Sequence, residues 1–435
     1  MDIIRSFYIY TLGCKVNRYE SEAMSALLTE SGKYLSISEK EKYNADVFIL
    51  NSCIVTAESE KKAEKIIRRY RRENPSGALV LCGCMPQALY EKSQKIGADI
   101  LFGNKERGRL IELLDLYYEN GKKPVDAVLC YKDKEKFEIL APKSYESLTR
   151  ANLKIEDGCN RFCAYCLIPY ARGPIRSMPI DEIKKQSVTL VSEGHREIVL
   201  TGINLCMYGT DSGNSLSDAI KAVLESGVER IRLGSLEADL ITDELLDELS
   251  DIPQFCPQFH VSMQSGCDTV LKRMNRHYTV DEYENLIEKI KSKFNNPAIT
   301  TDIIVGFEGE TQEEFDKTCE TALKIGFSKI HVFPYSVRPG TKAAKSLNQI
   351  SPEEKKKRAM KMFEIGEYTK KEFYEKQIGT IHSVLFETFD GKYNCGHTKN
   401  FLYVKVPCGE SMENMIVDVR ITGFENEECF GSPVI

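Results

Sequence analysis

Two rhythms of apolar and polar positions alternate along the first third of the chain. Apolar runs of strand length stand at Ser6–Thr11, Asp46–Leu50 and Ala78–Leu81, and stretches with helical spacing run from Glu20 to Leu28 and from Glu58 to Glu73. This alternation predicts a parallel sheet with crossover helices. Between about Tyr131 and Ser147 the periodicity gives way to charge, as in Lys132-Asp133-Lys134-Glu135-Lys136, and Pro142 interrupts it, so a linker is predicted there. Six further strand candidates follow, separated by helical segments: Ala151–Ile155, Glu197–Thr201, Arg230–Leu233, Gln258–Met263, Ala298–Val305 and Lys329–Pro334. Six βα units are too few for a complete eight-unit barrel and suit an open partial (β/α)6 barrel, with its site at the carboxyl ends of the strands. Pro352–Lys376 reads as a connecting helix. Short β-patterns at Thr380–Phe386, Tyr403–Val406 and Met415–Ile421 then suit a small closed barrel. The fold class is α/β, in three divisions: residues 1–135, 147–374 and 375–435.

The 435 residues are 42% hydrophobic and 29% charged, and no apolar run approaches the length of a membrane-spanning helix. The opening Met1-Asp2-Ile3-Ile4-Arg5 lacks the features of an export signal, so the cytoplasm is the expected compartment, with no membrane partner. The net charge of −6 argues against a uniformly basic protein but permits a local basic face. Fifteen cysteines in a reducing compartment point to metal, redox or catalytic work rather than disulfides.

Position decides among these roles. Gly158-Cys159-Asn160-Arg161-Phe162-Cys163-Ala164-Tyr165-Cys166 places three cysteines at C-x3-C-x2-C spacing, directly after the first strand of the second division. A cubane iron–sulfur cluster takes four thiolates, so three cysteines without a near fourth leave one iron open to another ligand. Structural zinc sites use paired C-x2-C elements or histidines, and neither lies nearby. A second group, Cys14, Cys53 and Cys84, follows three predicted strands. If those strands are parallel neighbours, the thiols converge at one sheet edge. Spacing alone equally permits three inert buried cysteines. Cys82 competes with Cys84, but alternation places it on the other face.

The C-x3-C-x2-C run resembles that of the radical SAM superfamily, in which it holds a 4Fe-4S cluster whose open iron binds S-adenosylmethionine. Tyr165, Leu200-Thr201-Gly202 and Asp302-Ile303-Ile304-Val305-Gly306-Phe307 resemble segments that contact this cofactor. The resemblance implies cofactor contacts from Tyr165, Thr201, Gly202, Glu237, Gln264, Gly306 and Phe307. Both cysteine groups together resemble the methylthiotransferase family, with an amino-terminal cluster domain, a radical SAM core and a terminal TRAM barrel. Leu167-Ile168-Pro169-Tyr170-Ala171-Arg172-Gly173, Gln264-Ser265-Gly266, Lys272-Arg273-Met274-Asn275-Arg276 and Arg338-Pro339-Gly340-Thr341 support this. Thr11-Leu12-Gly13-Cys14-Lys15-Val16-Asn17 and Cys53-Ile54-Val55-Thr56-Ala57-Glu58 are most similar to the branch that modifies threonylcarbamoyladenosine in tRNA (MtaB type). Departures are Glu308 where proline is usual, Asn204-Leu205-Cys206, and Cys267 in place of serine.

The resemblance implies methylthio insertion at carbon 2 of threonylcarbamoyladenosine, position 37 of tRNA. One S-adenosylmethionine would methylate sulfur at an auxiliary 4Fe-4S cluster on Cys14, Cys53 and Cys84. Another, cleaved reductively at the cluster on Cys159, Cys163 and Cys166, would yield a 5'-deoxyadenosyl radical. An electron donor and the tRNA anticodon loop are implied partners, and no residue is assigned as a catalytic acid or base. The alternatives are a methylthiotransferase for isopentenyladenosine and a non-catalytic iron–sulfur carrier. For RNA, Glu58–Glu73 carries seven basic residues against four acidic ones, with Lys61, Lys65, Arg68, Arg69 and Arg72 on one helical face. From Glu375 onward five basic residues face nine acidic ones, which restricts RNA contact there to a patch near Lys399, Tyr403 and Lys405.

Overall fold

The computed structural model describes residues 4–132, 135–142 and 149–434. The chain forms two compact units, one of Met1–Glu146, Glu156–Met178 and Val337–Ala344, the other of Ser147–Ile155, Pro179–Ser336 and Lys345–Ile435. The three divisions drawn from sequence and these two units cut the chain differently. The segment bearing Cys159, Cys163 and Cys166 folds with the amino-terminal sheet.

In the first unit the chain runs β1 (Arg5–Thr11), α1 (Lys15–Glu30), β2 (Tyr34–Ser36), β3 (Val47–Ser52), α2 (Ala57–Glu73), β4 (Ala78–Gly83), α3 (Cys84–Ala88), α4 (Tyr90–Gln94), β5 (Ile100–Leu101), α5 (Leu110–Glu119) and β6 (Val125–Asp126). The strands form one parallel sheet in the order β2-β1-β3-β4-β5-β6. Helices cover both faces, so β3 and β4 are buried throughout, which explains their unbroken apolar runs. Phe7, Ile49, Val80 and Cys82 pack under α1 and α5, and the alternate residues Phe48, Leu50, Leu79 and Leu81 pack under α2. Helix α1 begins five residues before the apolar pattern does. Its first turns bury polar residues, Asn17 and Glu20, where a sequence reading looks for apolar ones.

The charged stretch expected as a linker is, in its described residues, tied down. Glu135 pairs with Lys105 at 2.6 Å, and the Leu140 carbonyl accepts from the Tyr19 hydroxyl at 2.6 Å. Glu135 and Glu138 are pair partners, whereas Lys132 and Lys136 are exposed. Residues 133–134 and 143–148 of that stretch lie outside the described residues.

The chain next gives β7 (Arg150–Lys154) to the second unit, then returns to the first for β8 (Glu156–Asp157), α6 (Ile168–Arg172) and β9 (Arg176–Ser177). Thereafter follow α7 (Ile180–Ser192), β10 (Glu197–Thr201), α8 (Leu216–Leu224), β11 (Arg230–Leu233), β12 (Ser235–Leu236), α9 (Asp243–Ser250), β13 (Gln258–Val261), α10 (Asp268–Arg273), α11 (Val280–Lys293), β14 (Ala298–Val305), α12 (Gln312–Ile325), β15 (Lys329–Pro334) and α13 (Pro352–Glu375). Strands β7, β10 and β11 form one parallel ladder and β12 to β15 another, joined by a bridge from Ile231 to Phe255. The result is an open parallel barrel with the six expected strands in sequence order. Its helices start cleanly: Ser215, Thr279 and Thr311 each close a capping box on α8, α11 and α12.

The terminal strands β16 (Ile381–Phe389), β17 (Tyr393–Thr398), β18 (Tyr403–Pro407), β19 (Ile416–Glu425) and β20 (Glu428–Pro433) close a five-stranded barrel. Two of the five, β17 and β20, were not evident as apolar runs. Each carries polar or glycine residues at alternate positions. Arg232 bridges from Glu197 (2.8 Å) to the Lys399 carbonyl (2.9 Å), and Arg230 donates to the carbonyls of His397 (3.0 Å) and Ser383 (2.8 Å). These buried arginines fasten the small barrel to the strands of the large one. Burial would raise the Glu197 pKa, but Arg232, Arg150 and Arg230 outweigh it and hold the carboxyl at about 2.

Candidate functional site

Strands β1, β3 and β4 are adjacent and parallel, so the residues after their carboxyl ends share one edge of the sheet. Cys14 caps α1, Cys53 follows β3, and Cys84 opens α3. The Cys84 thiol lies close enough to act electrostatically on both Cys14 and Cys53, and Cys14 on Cys53. Gly13 permits the crowding: its φ is +106°, and a Cβ there would stand 2.9 Å from the Cys53 Cβ and 3.0 Å from its Sγ. Cys82 points into the apolar core on the other face, where burial pushes its thiol up to about 12.

Burial raises the Cys14 and Cys53 pKa values as well, so the bare thiols hold their protons near neutrality. A bound metal cluster displaces such protons, and two neighbouring groups offset part of the cost of holding the thiolates. Arg172 lowers the Cys14 pKa and interacts electrostatically with Cys84, and Asn104 donates to the Cys84 Sγ at 3.3 Å. Three convergent thiols under a guanidinium and an amide donor fit a cluster held by three protein ligands.

The second cysteine group sits on one loop whose base is a short antiparallel pair, β8 with β9. The Cys159 N–H donates to the Gly173 carbonyl at 3.1 Å and the Cys166 N–H to the Cys163 carbonyl at 3.0 Å, which turns the loop on itself. Gly158, at φ +96°, passes so close to Pro174 that a Cβ would meet its carbonyl oxygen at 2.1 Å. The Cys166 Sγ accepts from the Ile168 N–H at 3.4 Å. All three cysteines are partly exposed on this loop, as open coordination of a cluster requires.

Helix α6, which follows Cys166, connects the two groups. Ala171 and Leu167 pack against Cys84 and Ile54. Arg172, fully buried, donates to Glu20 (2.6 and 3.1 Å), Asn17 (2.5 Å) and Asp157 (3.2 Å). Arg107 shares Glu20 at 2.8 Å and donates to Asn104. Asn104 in turn donates to the Ala171 carbonyl at 2.8 Å. Asn17 also donates to the carbonyls of Leu12 (2.7 Å) and Ser52 (3.1 Å), fixing the segments that present Cys14 and Cys53. Glu20, Arg107 and Asn104 carried no recognisable signal in sequence. Asn17 and Arg172 lay in quoted motifs, and only the structure gives them partners.

Of the expected cofactor contacts, Tyr165 lies in the first unit and the others in the second. Thr201 ends β10, with Gly202 next. Gln264 takes φ +65° and bridges to Ile303 of β14. Gly306, at φ +68°, directly follows β14 beside the buried Phe307, and its N–H donates to Glu310 at 2.7 Å. Glu237 pairs with Arg276 at 2.6 Å. The atypical residues have local work: Glu308 accepts from Ser346 at 2.6 Å, Cys206 lies against the Glu237 backbone, and Cys267 is buried beside Thr269.

On α2, Lys61, Lys65, Arg68, Arg69 and Arg72 are all exposed. Arg68 is paired with Glu64 (2.9 Å), and Arg69 and Arg72 with Glu73 (2.8 and 3.5 Å). In the small barrel Lys399 donates to the Pro253 carbonyl at 2.6 Å and Lys405 pairs with Glu428 at 2.7 Å.

The radical SAM superfamily model matches residues 153–322, and the model of an uncharacterized protein family, UPF0004, matches residues 6–103. A relative from Bacillus subtilis (strain 168), named threonylcarbamoyladenosine tRNA methylthiotransferase MtaB, is 38% identical over 95% of this chain and 92% of its own. A protein of the same name from Thermotoga maritima is 36% identical over 89% of this chain and 87% of its own. A tRNA-2-methylthio-N(6)-dimethylallyladenosine synthase from Caldicellulosiruptor saccharolyticus is 32% identical over 99% and 93%. Among solved structures, the radical S-adenosylmethionine methyltransferase TsrM from Kitasatospora setae superposes with a TM-score of 0.57 at 13% identity, covering 78% of this chain and 74% of that one. That likeness is one of fold.

Proposed function

Because the chain belongs to the methylthiotransferase family of radical SAM enzymes, we propose that it places a methylthio group on carbon 2 of threonylcarbamoyladenosine at position 37 of tRNA. The supporting observation is the match, at 38% identity over 95% of the chain, to a relative named for that reaction. Dimethylallyladenosine is the second reading, supported by relatives of lower identity, 32% for one of them. A non-catalytic iron–sulfur carrier would account for the thiols but not for a full-length match to transferases.

We assign one 4Fe-4S cluster to Cys159, Cys163 and Cys166 and a second to Cys14, Cys53 and Cys84. When bound, the clusters and S-adenosylmethionine supply the one-electron cleavage and the sulfur that the transfer requires. The chain's own residues orient and enclose. Asn17 and Gly13 hold the segments of the first thiol group together, and Arg172 places positive charge beside Cys14 and Cys84. The β8–β9 pair fixes the loop of the second group, and Tyr165 offers an aromatic face for adenine. Thr201, Gly202, Glu237, Gln264, Gly306 and Phe307 are assigned to S-adenosylmethionine. Lys61 and Lys65, with Arg68, Arg69 and Arg72, are assigned to tRNA phosphates, and Lys399 and Lys405 to a smaller contact. The anticodon loop and an external electron donor complete the proposal. Among the described residues no helix is long and apolar enough to cross a membrane. The cytoplasm, where tRNA resides, is the proposed compartment.

Nucleoside mass spectrometry of tRNA from cells with and without the gene tests this reading. Deletion is expected to remove 2-methylthio-threonylcarbamoyladenosine and leave its unthiolated precursor. Loss of the dimethylallyl derivative alone would establish the second reading.

A further inference from the structure

The second unit holds a group of metal-ligating side chains that contains no cysteine. Along β13, β14 and β15, alternation places His260, Thr300, Asp302 and His331 on the same face of the ladder. His260 is paired with Thr300 and Asp302 with His331 in the parallel register. The opposite face carries Phe259, Val261, Ile299 and Ile303, all buried. One ligand atom from each of His260, Asp302 and His331 lies within 4.8 Å of the others.

Outer contacts orient two of these three. The His260 Nδ1 lies 3.0 Å from the Thr300 hydroxyl, and its Nε2 lies 3.3 Å from the Asp302 Oδ2. With Nδ1–H donating to Thr300, the Nε2 lone pair points at the centre of the group. The Ser262 hydroxyl donates to the same Asp302 oxygen at 3.3 Å. A hydroxyl holding the far nitrogen of an imidazole and another holding a carboxylate are the outer contacts that metal sites use. A polar layer satisfied by its own hydrogen bonds would explain His260 and Asp302. It would not explain His331: among the described residues no hydrogen bond reaches its ring, yet that ring converges on the other two, its centroid 5.8 Å from that of His260.

We propose that His260, Asp302 and His331 bind one divalent transition-metal ion of the Fe2+, Mn2+ or Zn2+ class. Two imidazoles and a carboxylate on one face leave further positions for water or for oxygen atoms of a ligand, and the nitrogen–oxygen donor set separates this site from thiolate-bound clusters.

The test uses full-length protein with its clusters reconstituted anaerobically and excess metal removed. Equilibrium dialysis against Zn2+ is expected to load one ion per chain beyond the cluster iron. Co2+ is expected to give ligand-field absorption without thiolate charge transfer. His331→Ala and Asp302→Asn should weaken this binding by about 100-fold or more, since even outer-contact losses weaken metal sites by about 10–100-fold. Their iron content should stay unchanged. His331 is exposed, so its truncation leaves the fold intact and decides the matter even if Asp302→Asn does not accumulate. Absence of an additional ion, its retention in His331→Ala, or thiolate charge transfer from the bound Co2+ would each overturn the proposal.

Discussion

Glu22, on α1, illustrates how one misplaced charge sets a pH dependence. Burial raises its carboxyl to about 7, with Arg18 at 3.6 Å only partly offsetting the cost, and among the described residues its Oε2 has no hydrogen-bond partner. A carboxyl whose native pKa exceeds its unfolded value binds its proton more tightly when folded. Its contribution is therefore complete below the ordinary carboxyl value of 4.5 and is lost as pH rises through about 7. Glu22→Gln should leave stability unchanged near pH 4 and raise it at pH 8 by about 1–3 kcal/mol. Thermal unfolding of the two proteins at both pH values measures this, and equal transitions at pH 8 would show that Glu22 is solvated. Legibility at this scale was uneven. Cysteine spacing announces itself because thiolate chemistry fixes it, whereas Glu20, Arg107 and Asn104 touch partners many residues away and look like ordinary surface positions until the sheet brings them together.

Single elements show why some patterns could be read and others not. Strands buried on both faces, such as β3, stand out as apolar runs, and α2 shows a clean stripe of Ala63, Ile66, Ile67 and Tyr70. The start of α1 and the strands β17 and β20 were hidden because each puts polar or glycine residues where only packing explains them. The basic face of α2 also needs its partners. Arg68, Arg69 and Arg72 spend part of their charge on Glu64 and Glu73, while Lys61 and Lys65 form no such pairs among the described residues. If this face meets phosphate, Lys61→Glu with Lys65→Glu should weaken tRNA binding more than Arg68→Glu with Arg69→Glu. It should also reduce the salt slope by about 1 per lost phosphate contact. Affinity titrated across salt concentration checks this, and an unchanged slope in folded protein would make α2 an ordinary solvated face.

The joint between the two barrels of the second unit is a matter of element against element as well. Glu197 is surrounded by Arg150, Arg230 and Arg232, and two of these arginines also hold carbonyls of the terminal barrel. Replacing Glu197 by Gln removes the counter-charge from guanidinium groups that stay buried, a change that costs about 3–5 kcal/mol in comparable pairs. Glu197→Gln should therefore lower the unfolding transition and open the terminal barrel to proteolysis first. Cleavage confined to other loops would show that the arginines hold the barrel without Glu197.

At the scale of the whole molecule, sequence reading assigned the two cysteine groups to separate domains, and the structure puts both into the first compact unit. Residues 156–178 pack on the sheet through α6, while β7, just before them, belongs to the barrel. Their shared neighbours make the two groups physically coupled. Arg172 is bonded to Asn17 and Glu20 of α1, and Ala171 packs against Cys84. Even so, each group has its own thiols, and removal of one ligand should leave the other set intact. Cys163→Ala should abolish reductive formation of 5'-deoxyadenosine while leaving about four irons, the content of one cubane cluster, on the first group. Cys14→Ala should abolish methylthiolation and leave 5'-deoxyadenosine formation detectable. Arg172→Lys separates coupling from ligation: it keeps the charge but loses the planar fork that reaches Glu20, Asn17 and Asp157 at once. It should therefore lower methylthiolation more than either iron content or reductive cleavage. Anaerobic reconstitution with iron analysis and quantification of both products measures all three. If Arg172→Lys matches the parent protein in methylthiolation, the buried network holds the fold alone, and the two groups work without it.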